Sequence, residues 1–144
     1  MTTGGIPPPT TTERMVIMII GVSSKYDFGH WSHRVYTFET KEAAEKWLHT
    51  EEYGFREREL FDGLRPAVEL AGPEEVARAI YGEGYTKGDA WKTLRKAYGL
   101  TQAKMSEAAG IPARTLQDWE NGKRTPPEYM LDLVESKMRE VQNA

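Results

Sequence analysis

Residues 94–127 read LRKAYGLTQAKMSEAAGIPARTLQDWENGKRTPP, and this stretch decides the fold of the C-terminal part of the chain. Between its glycines lie two segments with the length of short helices, at 102–109 and 113–121. Glycine accepts the left-handed backbone conformation that ends many helices, because it has no Cβ. The spacing therefore predicts two short helices joined by a tight turn at Gly110, which is a helix-turn-helix arrangement.

Helices are also predicted on both sides of this pair. The segment 90–98 forms the first helix of the unit, and Gly99 ends it. Pro126 and Pro127 precede a fourth helix, because proline is well accepted in a first turn. Residues 89–144 are thus predicted to be an all-α domain. The apolar stripe predicted for the fourth helix consists of Met130, Leu133, Val134, Met138 and Val141.

The unit contains enough apolar side chains for a small core of its own. Ser106 is small enough to let the two central helices cross closely. Trp91 and Leu94 are expected to close the core from the first helix. The side chains predicted to fill the space between the central helices are Leu100, Met105, Ala109, Ile111, Leu116 and Trp119.

Three short motifs in this order resemble one family. They are Gly-Leu-Thr-Gln at 99–102, Gly-Ile at 110–111 and Trp-Glu-Asn-Gly-Lys-Arg at 119–124. As a set they are similar to the Cro/lambda-repressor-type (XRE-like) helix-turn-helix, over about residues 90–135. The resemblance implies that the helix at 113–121 lies in the major groove of double-stranded DNA and presents its N-terminal half to the bases.

The resemblance also implies which side chains meet DNA. Arg114 is expected on guanine and Gln117 on adenine, each pair giving ~1–3 kcal/mol of discrimination. Ala113 would touch a thymine methyl, Asp118 would accept from cytosine or repel phosphate, and Gln102 would bind phosphate at the positive end of its helix. The predicted DNA-binding residues are Thr101, Gln102, Ala113, Arg114, Thr115, Gln117, Asp118, Asn121, Lys123 and Arg124.

Two further positions bear on how the helices are oriented. Arg95 and Glu120 match a pair that bridges the first and third helices in the family, and we predict that structural ion pair here. If largely exposed, it would contribute only ~0–1 kcal/mol to stability. Pro112 departs from the family because it replaces the usual hydroxyl cap and supplies no side-chain oxygen.

Residues 14–82 predict a small α+β domain ahead of this unit. The β-branched run at 14–22 reads as a buried strand, 23–32 as a hairpin loop, and 33–39 as a second strand antiparallel to the first. A third strand is predicted at 53–61. No family resemblance is evident in this part of the chain.

Helix signals complete the α+β prediction. Thr40 can cap a helix over 41–50, and Pro73 is well placed to begin a helix that ends near Tyr81. The expected domain is therefore a small antiparallel sheet with one or two helices. Two flanking segments carry turn-forming and polar residues: a disordered tail at 1–13 and a Gly-rich linker at 83–88.

Composition separates the two parts by charge. The 144 residues contain 19 Lys+Arg and 22 Asp+Glu, but residues 1–85 carry a net charge of −5 while residues 87–124 carry +4. Only the second segment has the sign that a phosphate backbone attracts. No cysteine is present, which excludes disulfides and Cys-based zinc sites. With no long apolar run and no signal-peptide pattern, a soluble, cytoplasmic protein is expected.

A metal site and an enzyme are the weaker interpretations. Asp27, His30 and His33 recur every three residues, and imidazole and carboxylate are ordinary metal ligands. That spacing in a hairpin loop defines no coordination geometry, so a solvated polar loop is favoured. No nucleophile motif or phosphate-binding glycine loop occurs. We therefore expect no metal, no cofactor and no enzymatic activity.

The sequence favours a sequence-specific DNA-binding transcriptional regulator, most simply a repressor or autoregulator acting as a homodimer. One alternative is an interaction or inhibitor protein, of the antitoxin or mobile-element type. Its acidic N-terminal domain would bind a partner protein, and its helix-turn-helix would repress its own operon. A helix-turn-helix used only for protein contact is a further alternative.

Overall fold

The computed structural model describes residues 19–50, 55 and 57–142. This part of the chain contains three strands and seven helices. The strands are β1 (Ile19–Asp27), β2 (His30–Phe38) and β3 (Glu57–Phe61). The helices are α1 (Lys41–Leu48), α2 (Leu64–Ala71), α3 (Pro73–Tyr81), α4 (Lys87–Ala97), α5 (Gln102–Ala109), α6 (Ala113–Asn121) and α7 (Glu128–Gln142).

The sheet has the order β2-β1-β3, with both pairs antiparallel, which confirms the predicted pairing of the first two strands. The hairpin loop predicted at 23–32 is wrong, because β1 continues to Asp27 and β2 begins at His30. Only Phe28 and Gly29 turn the chain, both with positive φ, as a type I′ turn requires. Polar and aromatic residues that indicated a loop are paired strand residues instead.

Several predicted boundaries fall partly outside the described residues. The tail at 1–13 and the start of the first predicted strand lie there, as does most of the N-terminal half of the third strand predicted at 53–61. Thr40 caps α1 as predicted, its Oγ1 accepting from the Ala43 N–H at 3.1 Å. The helix ends at Leu48, two residues before the expected end.

Helices cover both faces of the sheet. On one face Gly21 lets Trp47 of α1 approach so closely that an added Cβ would lie 2.6 Å from the indole. The other face buries Ile20 and Val22, which share a cluster with Val68 of α2 and Val76 of α3. Helix α3 starts at Pro73 as predicted, whereas α2 was not predicted.

The sequence of α2 explains why it was missed. Pro66 stands inside the segment Leu64–Ala71 and usually argues against a helix. It lies at the third helical position, where the backbone N–H has no helical partner and proline is tolerated.

Helix α4, the first of the four C-terminal helices, packs against α2 and α3. Helix α4 begins at Lys87 because Thr86 and Asp89 form a capping box, so the last two residues of the predicted linker are helical. Buried residues from both sides of that linker, among them Val76 and Trp91, form one continuous cluster. Lys87 also joins Glu74 to Glu128 by ion pairs at 3.0 and 3.3 Å. The division of the chain into two domains, with a linker at 83–88, stays a prediction.

The apolar stripe predicted on the last helix needs a correction. Leu131, Val134 and Met138 are the buried residues of α7, whereas Leu133 and Val141 are exposed. The segment carries two overlapping apolar rows at helical spacing, and only packing against the rest of the core selects between them. No helix of the described segments is long and apolar enough to span a bilayer.

Gly88 provides a test of how closely α4 and α6 pack. A Cβ at this position would lie 2.3 Å from the backbone oxygen of Glu120. We expect Gly88→Ala to lower the free energy of unfolding by about 1–3 kcal/mol, although alanine favours helices. Gly84→Ala, where nothing lies within 4 Å of the added Cβ, should change it by less than about 0.5 kcal/mol. Equal effects of the two variants in urea unfolding would contradict the close packing.

Candidate nucleic-acid interface

The turn between α5 and α6 is held by hydrogen bonds between two residues. Ser106 Oγ donates to the backbone oxygen of Ile111, and the Ile111 N–H donates to the backbone oxygen of Ser106 at 3.1 Å. Gly110 between them has φ 70°, the left-handed conformation predicted for this turn. Pro112 begins α6 without a side-chain cap. The turn therefore fixes α6 relative to α5 without help from a capping hydroxyl.

The inner face of α6 is buried in the core. Leu116 and Trp119 are buried, together with Met105 of α5. The ring of Trp119 packs against that of Trp91 of α4, with centroids 4.9 Å apart. Because the apolar face of α6 points inward, the polar side chains of Arg114, Gln117 and Asn121 are directed to the opposite side.

A buried ion pair joins three of these helices. Arg95 of α4 donates from Nε to Glu120 Oε2 at 2.8 Å and from Nη2 to Oε1 at 3.1 Å. Gln102 of α5 donates from Nε2 to the same Oε1 at 3.0 Å. The Glu120 side chain is 1% exposed and that of Arg95 is 17% exposed. The stability contribution of ~0–1 kcal/mol expected for an exposed Arg95–Glu120 pair does not apply here. Removing one partner of this pair would leave the other as a buried charge.

Thr101 and Gln102, the predicted phosphate contacts at the start of α5, each have a hydrogen-bond donor to offer. Thr101 Oγ1 accepts from the Lys104 N–H at 3.1 Å, which leaves its hydroxyl proton available to donate. The Gln102 amide has two N–H groups, of which Glu120 uses one. Both side chains can therefore donate to an anion at the positive end of α5.

The outward face of α6 carries most of the predicted base-reading residues. Ala113, Arg114, Gln117 and Asn121 are exposed, and Thr115 is half-buried. Lys123 and Arg124 follow the helix and are exposed as well. Their backbone N–H groups donate to the backbone oxygen of Asp118 at 2.9 and 3.3 Å. These side chains form one polar surface at one side of the helix pair.

Asp118, which was predicted to meet cytosine or phosphate, is less exposed than the other polar residues on this side of α6. Its side chain is 10% exposed and lies between two arginines. Oδ1 is 3.5 Å from Nε of Arg114, and Oδ2 is 3.5 Å from Nε of Arg124. The arginines cover the carboxylate, so Asp118 does not face solvent as a base-reading group would.

Two lysines of α4 lie beside this surface and were not among the predicted DNA-binding residues. Lys92 and Lys96 are one turn apart, beside Arg95, and both are partly buried. Burial lowers the pKa of Lys96, and the neighbouring positive charges of Arg95 and Lys92 lower it further. The carboxylate of Glu120 acts in the opposite direction and raises this pKa, so it offsets part of the repulsion. In the sequence, only the net positive charge of residues 87–124 pointed to these two lysines.

The residues considered for a metal site are placed differently. Asp27 forms an ion pair with Lys25 at 3.3 Å, and His33 Nδ1 is 2.8 Å from Ser24 Oγ. Within the described ranges no group of three or more His, Cys, Asp or Glu side chains is arranged to hold a metal ion.

The buried ion pair can be tested by removing one charge. We expect Glu120→Gln to lower the free energy of unfolding by about 3–5 kcal/mol, because Arg95 keeps a partly buried charge without its partner. The control Glu128→Gln removes an exposed carboxylate from Lys87 and should cost less than about 1 kcal/mol. Similar costs for both variants in urea unfolding would contradict the role of the pair.

Comparison with known proteins identifies this part of the chain. Residues 92–139 match the sequence model of the helix-turn-helix family, which covers the end of α4, all of α5 and α6 and most of α7. No curated protein and no solved structure matches the chain. The match agrees with the turn, the buried pair and the exposed outer face of α6. Residues 92–139 therefore carry a helix-turn-helix that is similar to the Cro/lambda-repressor (XRE) type.

Proposed function

We propose that the protein is a sequence-specific double-stranded DNA-binding transcriptional regulator, a repressor or autoregulator, that reads the major groove with α6. The observation that carries this proposal is the exposed outer face of α6, which displays Arg114 and Gln117. A side chain discriminates between bases only if its helix is held rigidly against the groove. The Ser106–Ile111 turn and the buried pair of Arg95 and Glu120 provide that rigidity.

Base reading would come from α6. The guanidinium of Arg114 can donate two hydrogen bonds to guanine, and the Gln117 amide can pair with adenine. Both groups are exposed near the N-terminal half of the helix, which is the part that enters the groove in this arrangement. Ala113 and Thr115 offer methyl groups close by, of the kind that contact the thymine methyl.

Phosphate contacts would flank α6 on both sides. Thr101 and Gln102 offer donors at the positive end of α5, and Lys123 and Arg124 follow α6. We add Lys96 to this set, because it lies beside Arg95 on α4, and a phosphate would relieve the repulsion between it and its positive neighbours. Such contacts position the protein without reading sequence.

A homodimer would supply the remaining specificity. One helix in one groove reads few base pairs, whereas a two-fold pair reads half-sites ~34 Å apart. Tyr129 and Leu133 of α7 are exposed one turn apart and would be covered by the second copy. Apolar residues of this size are seldom left together on a surface.

DNA binding is tested by fluorescence anisotropy on DNA selected from a random pool. We expect Arg114→Ala to bind selected DNA about 10- to 100-fold more weakly while binding random DNA almost normally. Lys123→Ala should weaken both and lower the salt dependence by about one ion. The control Lys41→Ala changes an exposed lysine of α1, outside the helix-turn-helix and the proposed dimer face, and should bind like wild type. Equal affinities of all four proteins for selected DNA would contradict groove docking.

A second candidate function is supported by the hairpin of β1 and β2. Its tip exposes Tyr26, Phe28 and Trp31, with Phe28 95% exposed. Phe28 has φ 50°, a conformation that phenylalanine adopts only at an energetic cost. An exposed aromatic group at a strained position favours the proposal that the acidic N-terminal part also binds a partner protein, as an antitoxin-like or inhibitor protein would.

This candidate is tested with the full-length chain. Wild-type protein and Phe28→Asp are each used to capture proteins from the source cells, and selected-DNA affinity is measured for both. We expect an equimolar partner with wild type, its loss with Phe28→Asp, and equal DNA affinities. Phe28→Gly should remove the aromatic group while relieving the strain, and should raise the midpoint of thermal unfolding. No equimolar partner, or one retained equally by both substituted chains, would exclude the hairpin as a docking site.

A further inference from the structure

Asp118 connects the two arginines that the proposed function places on DNA. Each carboxylate oxygen is 3.5 Å from the Nε of one arginine, Oδ1 with Arg114 and Oδ2 with Arg124. Arg114 precedes Asp118 by one helical turn, and Arg124 follows the left-handed Gly122. The carboxylate therefore links a base-reading residue of α6 to a phosphate-contact residue beyond it.

The contact with Asp118 involves Nε of each guanidinium group, and both arginine side chains remain largely exposed. Contact through Nε occupies the inner edge of a guanidinium, and guanine is read by its two terminal nitrogens. The Arg114 and Arg124 side chains are 78% and 68% exposed, whereas that of Asp118 is 10% exposed. The acid is covered and the basic groups it contacts are displayed.

Burial makes this contact restrictive. If Arg114 and Arg124 both turned away to other phosphates, Asp118 would keep a largely buried charge without a partner, which is costly. At least one arginine is thus held with its Nε near the carboxylate, and the shared acid favours positions in which both are. The negative charge of Asp118 also offsets one positive charge of this surface, which weakens its attraction to DNA of any sequence.

We propose that Asp118 is a positioning residue that orients Arg114 for base reading and Arg124 for phosphate contact, and thereby exchanges non-specific affinity for sequence selectivity. This inference rests on the proposed function of α6 as the reading helix. Asp118 need not touch a base in this role, since it acts through the two arginines. Asparagine at 118 has nearly the same shape without the charge, so it separates positioning by charge from packing.

The test compares wild type with Asp118→Asn on selected and random DNA by fluorescence anisotropy. We expect the variant to bind random DNA more tightly, because one negative charge is gone, and selected DNA no more tightly than wild type. The ratio of the two affinities should fall about tenfold, the loss expected when one arginine no longer reads its base reliably. The control Glu107→Gln removes an exposed carboxylate of α5 and should keep the wild-type ratio.

A second measurement needs no DNA. In wild type we expect the Nε–H groups of Arg114 and Arg124 to give ordered signals in ¹⁵N relaxation experiments, and in Asp118→Asn we expect both to become mobile. Thermal unfolding of the same samples shows that the variant is folded. Nε–H groups equally mobile in both proteins, or an unchanged affinity ratio, would overturn the positioning role while leaving the proposed function intact. Wild-type protein that selects no DNA sequence would overturn the proposed function together with this inference.

Discussion

The buried contact of Arg95 with Glu120 is the constraint on which the C-terminal part of the structure depends. It joins α4 to α6 by two hydrogen bonds, and Gln102 adds α5 through the same carboxylate. Apolar packing alone allows helices to slide, whereas a buried charge must keep its partner. The pair therefore sets the angle at which α6 is presented. Under the proposed function, the side chains on its outer face would discriminate between bases only because that angle is fixed.

Local signals in the sequence were sufficient for the reading helices. Thr101, Gly110 and Gly122 determine where α5 and α6 begin and end, and each acts through its own backbone or its nearest neighbours. The predicted bounds of both helices agree with the structure for that reason. The N-terminal part was harder, since polar and aromatic strand residues resemble a loop, and Pro66 masked α2. Pairing between β1 and β2 makes the polar and aromatic residues strand residues. The first turn of α2 tolerates Pro66, because the proline nitrogen needs no helical partner there.

The candidate site shows the same division between local and tertiary information. The sequence indicated Arg114, Gln117 and Lys123 because helical spacing and the family motif place them outside. It did not indicate that Asp118 is covered, because one covering arginine returns from beyond Gly122. Nor did it single out Lys96, whose setting depends on Arg95, Lys92 and Glu120 meeting at the same place. Roles that depend on contacts between elements require the folded chain.

Methylation interference on selected DNA tests most directly whether the outer face of α6 reads bases in the major groove. Guanine N7 lies in the major groove and adenine N3 in the minor groove, so methyl groups at the two atoms distinguish the grooves. We expect methylation of specific guanines at N7 to block binding, and Arg114→Ala to lose sensitivity at one guanine of each half-site. Interference confined to adenine N3, or none at any guanine, would contradict the account.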